Sequence, residues 1–385
     1  MYPTISDLIK DLTGIYIPLP IQSFGFMMAV AFLFAAWTLA LELKRKEKQG
    51  LLHAVPRKIL VGKPASVSDL VMNGIIGFIL GFKIIEMILH YHDLVEDPQD
   101  FILSTRGNLI GGIVVAGLMM FLKYREKEKE RLPNPEEKTI LVSPYQMVGD
   151  ITIIAAIFGL LGAKIFDNLE HLDDFFKDPL GAIFSFSGLA FYGGLILGAA
   201  GVLWYARRNK IPLVHMLDSA APGLILAYGV GRIGCQLAGD GDWGIVNMHP
   251  KPSWWFLPDW TWAFNYPHNV IQEGTLIPGC TGKFCYQLAE PVYPTPLYET
   301  TIAILIFLFL WSIRKKIQTP GMLFSIYLVL NGIERFFMEN IRVDIRYHFL
   351  GMTATQAQII AVIMVILGIA GIILSRRGRS TQTTP

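Results

Sequence analysis

Arg232 stands near the end of an apolar run, within GVGRIGCQLAGDGDWG (229–244). A guanidinium does not shed its charge. Inside an apolar span it therefore needs an anion or a polar cavity to receive it. The glycines around it let backbone approach backbone or ligand closely. With Asp240 and Asp242 beside it, the stretch suits a phosphate or an anionic lipid head, and the structural alternative is a buried ion pair. A second stretch, ERFFMENIRVD (334–344), places Arg335, Glu339 and Arg342 at i, i+4 and i+7, on one helical face. There a salt-bridged Glu339 would orient the guanidinium forks for a phosphate. Arg342 can instead be an interfacial residue that snorkels to water.

Three further groups are polar where an apolar residue is expected. Tyr192 precedes Gly193 and Gly194 in SGLAFYGGLILG (187–198), either as a packing residue with a hydrogen bond or as a ligand contact. YPTPLYE (293–299) has prolines suited to a first helical turn and puts Tyr298 and Glu299 at the start of a span. Asp218 is a carboxylate near the start of another span, so it needs a partner or opens the helix.

These groups need a scaffold, and composition fixes its class. The chain of 385 residues is 52% hydrophobic and 17% charged, with a mean hydropathy of +0.44. It reads as an all-α polytopic integral membrane protein, not a soluble or nucleic-acid-binding one. Apolar runs predict nine transmembrane helices near 19–41, 68–91, 105–123, 147–168, 184–206, 214–238, 297–313, 320–339 and 356–375. The first is too long, and lacks the basic lead, of a cleaved signal. Alternate connections hold 22 Lys and Arg against six on the opposite side. That asymmetry puts the N-terminus outside and the C-terminus in the cytoplasm.

The chain is expected to form one membrane domain over 1–385, with a small outer head at 239–296. The head carries Trp243, Trp254, Trp255, Trp260 and Trp262, which fit an interfacial belt. Cys280 and Cys285 lie there in CTGKFC; on an oxidising face a disulfide is preferred, then free thiols, then a metal site. An internal repeat relates GFKIIEMILHYHDLVEDPQDF (81–101) to GAKIFDNLEHLDDFFKDPLGA (162–182). The helix pair 68–123 thus looks like a duplicate of 147–206, with a one-residue slip, and is more suited to packing than to chemistry. Its Lys83–Glu86 and Lys164–Asp167 spacings allow i,i+3 masking of charge. No His and carboxylate cluster has metal-ligand spacing, and no cofactor is implied.

Taken together, these stretches resemble the prolipoprotein diacylglyceryl transferase family of the bacterial inner membrane. The resemblance covers roughly 15–45 and 145–375 and keeps the family's motif order. It rests on GRIG…GDGDWG, the Arg-x3-Glu-x2-Arg face, Leu297-Tyr298-Glu299, Asp218-x3-Pro222 and the double glycine. The chain departs from the family at Tyr192, usually His; at Phe24-Gly25, usually Tyr-Gly; at Cys235, usually Asn; in one residue inserted before Trp243; and in the extra helix pair.

The resemblance implies transfer of the diacylglyceryl group of phosphatidylglycerol to the lipobox cysteine thiol of a prolipoprotein signal peptide, releasing glycerol phosphate at the outer leaflet. It implies Arg232, Arg335, Tyr192 and Glu339 as catalytic positions. Arg232, Arg335, Arg342, Asp240, Asp242, Gly244, Gly193, Gly194, Cys235, Tyr298, Glu299, Phe24 and Asp218 are implied as substrate contacts. The rival class is a transporter or flippase for an anionic lipid or solute; a weaker third reading is an inactive lipid-binding paralogue. Against the transporter, the repeat runs in parallel over two helices only, and the charges do not gather at the midplane.

The charge asymmetry generates a test. A cysteine placed at Gly274 is expected to react with an impermeant thiol reagent added outside, and one at Lys127 is not; the reverse pattern would overturn the orientation.

Overall fold

The computed structural model describes residues 1–184, 190–343, 346–349 and 352–380. Nine long helices follow one another in them: α1 (Ser23–Lys48), α2 (Val67–Leu89), α3 (Leu109–Lys129), α4 (Val148–Glu170), α5 (Phe191–Arg208), α6 (Leu213–Ala238), α7 (Thr295–Ile313), α8 (Met322–Met338) and α9 (Gln356–Ser380). Among these, α1, α2, α4, α6, α7 and α9 are long and apolar enough to cross a membrane. α3 ends in a charged tail, α5 is described over 18 residues, and α8 has 17 residues with Glu334 and Arg335 among them. Ser187, Gly188 and Leu189 of the tyrosine stretch, and Asp344 of the arginine stretch, lie outside the described residues.

α1 runs to Lys48 and α3 to Lys129, past the ends expected at 41 and 123. Their tails are rich in Leu, Glu, Lys and Arg, which keep a helix going after hydropathy has fallen. Strands complete the picture where only helices were expected. β1 (Val55–Val61) pairs with β2 (Glu136–Val142), β3 (Thr275–Leu276) with β4 (Tyr286–Gln287), and β5 (Arg346–Phe349) with β6 (Met352–Thr355). Each is a two-stranded sheet in a connection, too short to show as a periodic pattern.

The chain divides into two compact units. The smaller holds Tyr2–Ser23 and Pro56–Leu141, and so α2 and α3. Two six-residue helices join that pair, Tyr91–Glu96 and Pro98–Leu103. The same plan recurs in the larger unit, where Leu172–Lys177 and Pro179–Phe184 follow α4. In the first hairpin Asn108 N donates to the Phe82 carbonyl at 2.8 Å, and in the second Ala190 N donates to the Ala163 carbonyl at 3.0 Å.

Glycine pairs bring the helices of each hairpin together. A Cβ on Gly111 would meet Ile85 at 2.6 Å, and one on Gly193 would collide with the Gly162 carbonyl. The charge masking holds in one hairpin, Lys164 lying 3.9 Å from Asp167. In the other, Lys83 donates instead to the carbonyls of Phe101, Ser104 and Arg106 at 2.5–3.2 Å. Glu86 pairs with His90 at 3.0 Å.

In the larger unit, Leu39, Leu43, Met147, Ile151 and Met216 form one core cluster of α1, α4 and α6 with the turn before α4. Ile225, Ala303, Ile306, Leu310 and Leu323 form another between α6, α7 and α8. The segment between α6 and α7 folds around Trp243, Tyr266, Leu288 and Val292. It is tied to α6 by a 2.8 Å bond from the Tyr266 hydroxyl to Gln236. Cys280 and Cys285 are joined as a disulfide.

Asp218 finds its partners at the basic end of this bundle. Its carboxylate accepts the backbone N–H groups of Gly321 and Phe324 at 2.8 and 2.9 Å, capping the first turn of α8. Lys46 lies 3.7 Å away. Both side chains are almost fully buried, so Asp218→Ala strands donors and a cation together. We expect it to lower stability by about 2 kcal/mol, read as a fall in thermal midpoint in detergent. An unchanged midpoint would show that the cap contributes little.

Candidate functional site

The site is assembled where three helix ends meet. α6 carries Arg232 in its last two turns and stops at Gly239, whose φ of 65° and N–H bond to the Cys235 carbonyl at 2.9 Å close the helix. α7 begins with Thr295-Pro296 and presents Glu299 one turn in. α8 delivers Arg335, and the 3-10 turn Glu339–Ile341 continues it towards Arg342.

Glu299 is the centre. It is 0% exposed, and its carboxylate meets all three arginines. One oxygen is 2.7 Å from Arg232 Nε; the other is 3.2 Å from Arg342 Nη1 and 3.4 Å from Arg335 Nη1. Asp242 bridges a second time, pairing with Arg232 Nη1 through one oxygen and with Arg342 Nη2 at 2.8 Å through the other. Glu339, 1% exposed, lies 3.2 Å from Arg335 Nη2 and 4.0 Å from Arg342 Nε. Three guanidiniums thus face three carboxylates, and charges balance within the cluster. Burial opposes ionisation of Asp242, but Arg232 and Arg342 outweigh it and hold the carboxyl below its ordinary range. Burial, and then the charge of Asp242, push Asp240 the other way.

The arginines are not saturated. Among the described residues no hydrogen bond or ion pair engages Arg232 Nη2 or Arg335 Nε, while Arg335 Nη2 is taken by Glu339. Arg335 has the longest contacts to Glu299 and, at 22%, the greatest side-chain exposure of the three. The Tyr228 ring lies 5.2 Å from the Arg232 guanidinium, one helical turn along α6.

Cys235 is a buried free thiol, its sulfur 3.7 Å from Arg232 Nη1 and 3.6 Å from Asp242. Cys235, Asp240 and Asp242 bring possible ligand atoms within 4.8 Å of one another. They fit a cation poorly: both Asp242 oxygens are committed to guanidiniums, and a third positive charge would sit beside Arg232. The arrangement favours an anion.

Other expected residues serve this cluster at a distance or stand apart. Gly244 lets the chain pass the Ile341 carbonyl, which a Cβ would strike, and the Ile245 N–H bonds that carbonyl at 2.8 Å. The turn carrying Arg342 is fixed that way. Tyr298 points to the head, its hydroxyl donating to the Thr261 carbonyl at 2.7 Å. Phe24, 40% exposed, lies where α1 crosses Gly234, whose Cβ would come 3.3 Å from the Phe24 Cα. Tyr192, Gly193 and Gly194 open α5, the glycines against α4 and the Tyr192 ring edge-on to Phe191 at 5.6 Å. Asp218 stands fourteen residues before Arg232 on the same helix, roughly 21 Å along its axis.

Two participants escaped the sequence reading. Tyr228 is the i−4 neighbour of Arg232, and Glu334 is a buried acid next to Arg335, a signal that an ionisable residue inside an apolar run already carries.

Fold and site define a polytopic membrane protein with a buried, charge-balanced arginine centre. The family model for prolipoprotein diacylglyceryl transferase matches residues 111–374, and the chain belongs to that family. It is 29% identical over 276 residues to the phosphatidylglycerol–prolipoprotein diacylglyceryl transferase of Corynebacterium efficiens, covering 70% of this chain and 77% of the relative. Enzymes of the same name from Corynebacterium diphtheriae and Bifidobacterium adolescentis are 26% and 30% identical, over 71% and 62% of this chain and 88% and 69% of theirs. A transporter finds no support among them.

If Glu299 holds the cluster, Glu299→Gln keeps its shape but leaves three guanidiniums with two carboxylates. The expected loss is about 3–5 kcal/mol, as for other broken buried pairs, measured by thermal unfolding in detergent. A wild-type midpoint would show that the arginines do not depend on it.

Proposed function

We infer that this chain transfers the diacylglyceryl group of phosphatidylglycerol to the cysteine thiol of a prolipoprotein lipobox, in a bacterial inner membrane. The thiol sulfur attacks the glyceryl carbon that bears the phosphate ester. A C–S bond forms, the C–O bond breaks, and its electron pair leaves on glycerol phosphate. The observation that carries this reading is the set of unengaged N–H donors on Arg232 and Arg335 within a buried cationic and anionic lattice. Charge grows on the phosphate as the C–O bond breaks, and donors already fixed in a low-dielectric site stabilise it without reorganising. Arg335, the more exposed and more loosely paired, turns to the incoming headgroup; Arg232, held by Glu299 and Asp242, stays fixed.

In this reading nine helices span the bilayer, with the N-terminus and the head outside and the arginine centre in the outer half. Both substrates then reach it laterally from the outer leaflet. Tyr192 hydrogen-bonds the lipid head or the thiol, in place of the imidazole usual in the family. Glu339 and Asp242 orient the guanidinium forks, and Arg342 completes the cationic wall.

The test is conversion of a lipobox peptide by purified protein in phosphatidylglycerol micelles, followed by mass. Transfer is expected from the wild type. Arg232→Lys keeps the charge but loses the planar fork, and should cost about 10²-fold or more in rate. Near-normal transfer by Arg232→Ala, folded and inserted, would remove Arg232 from the chemistry.

A further inference from the structure

Glu334 is 5% exposed, and neither of its carboxyl oxygens has a hydrogen bond from a described residue. A buried carboxylate in that state costs free energy that a packing residue of similar size would not. The arginine centre does not call for it, because Asp242, Glu299 and Glu339 already match the three guanidiniums.

Its direction is fixed by helix geometry. Gly332 faces α9, where a Cβ would meet the Ala361 carbonyl and Val365 at 2.8 Å. Glu334, about 200° further round α8, therefore faces the other way, towards α6 and α7. The charged and titratable groups around it are Glu299 of α7, Arg232 and Tyr228 of α6, and Tyr327, Arg335 and Arg342 of its own segment. α9 offers no ionisable group between Gln356 and Ser375. The Tyr228 hydroxyl on α6 is also buried without a described hydrogen bond.

We propose that Glu334 is the proton acceptor for the lipobox thiol. The proposal rests on the transferase reading. The Glu334 carboxylate takes the thiol proton as the S–H bond breaks, and the sulfur's electron pair forms the C–S bond. The C–O pair departs on the phosphate, and the proton then passes from Glu334 to that phosphate or to water. A thiol with an ordinary pKa near ~8.5 is mostly protonated at neutral pH, so an acceptor raises the reactive fraction in the transition state.

The experiment measures kcat and KM from about pH 6 to 9 for wild type, Glu334→Gln and Glu334→Asp, with cysteine and selenocysteine lipobox peptides. Glu334→Gln is expected to lower kcat by about 10²–10⁴ on the cysteine peptide, with KM for phosphatidylglycerol little changed. Its residual rate should keep rising with pH up to the thiol pKa, whereas the wild type levels off once Glu334 is ionised. A selenol is ionised at neutral pH and needs no acceptor, so the selenocysteine peptide should recover most of the lost rate. Should Gln prevent folding, Glu334→Asp carries the test: slower on cysteine, wild-type on selenocysteine. Unchanged kcat and pH profile, or a defect that selenium does not relieve, would overturn the assignment. No transfer by the wild type would overturn the transferase reading instead.

Discussion

Water is excluded from Glu299, and its negative charge is held in place by guanidiniums from three separate chain segments. A carboxylate so buried is tolerable only when paired, and an arginine so buried only when it meets an anion. Each therefore makes the other possible. The ends of α6, α7 and α8 cannot separate without stranding charge in an apolar medium, so one interaction fixes the site's geometry and the order of the bundle together.

Charge balance also shapes how the centre works. An unpaired arginine triad would attract any anion and would be costly to assemble. With Asp242, Glu299 and Glu339 in place, the net charge of the cluster is small, and the N–H donors left open lie on Arg232 and Arg335. A similar economy holds at the opposite end of the bundle. There Glu42, 1% exposed, accepts from Arg45 and from Arg314 at 2.7 Å, tying α1 to the end of α7. Buried carboxylates thus clamp the helices at both ends.

Much of this was legible beforehand. Long apolar runs gave the helices, and Arg232, Arg335 and Arg342 declared themselves by charge. The positions of Glu299 and Asp218 were flagged, but not what they do. Glu299 was expected as an interfacial substrate contact and is the hub; Asp218 was expected among substrate contacts and caps α8. Spacing within one helix reveals which residues share a face, but not which helix that face meets. Gly193 and Gly194 illustrate the same limit, since a glycine pair reads alike beside a ligand and beside another helix. Glu334 adjoins Arg335 in sequence, and spacing alone does not show that its carboxyl is buried without a hydrogen bond.

The likeness of the two hairpins bears on how such a chain can grow. α2 and α3, with the two short helices between them, leave and return as an antiparallel pair. An antiparallel pair inserted whole adds an even number of helices, so every later helix keeps the direction it had before. A single added helix would reverse the direction of α6, α7 and α8, which carry the arginines and Glu299. Growth by antiparallel pairs enlarges such a chain while leaving the course of its other helices untouched.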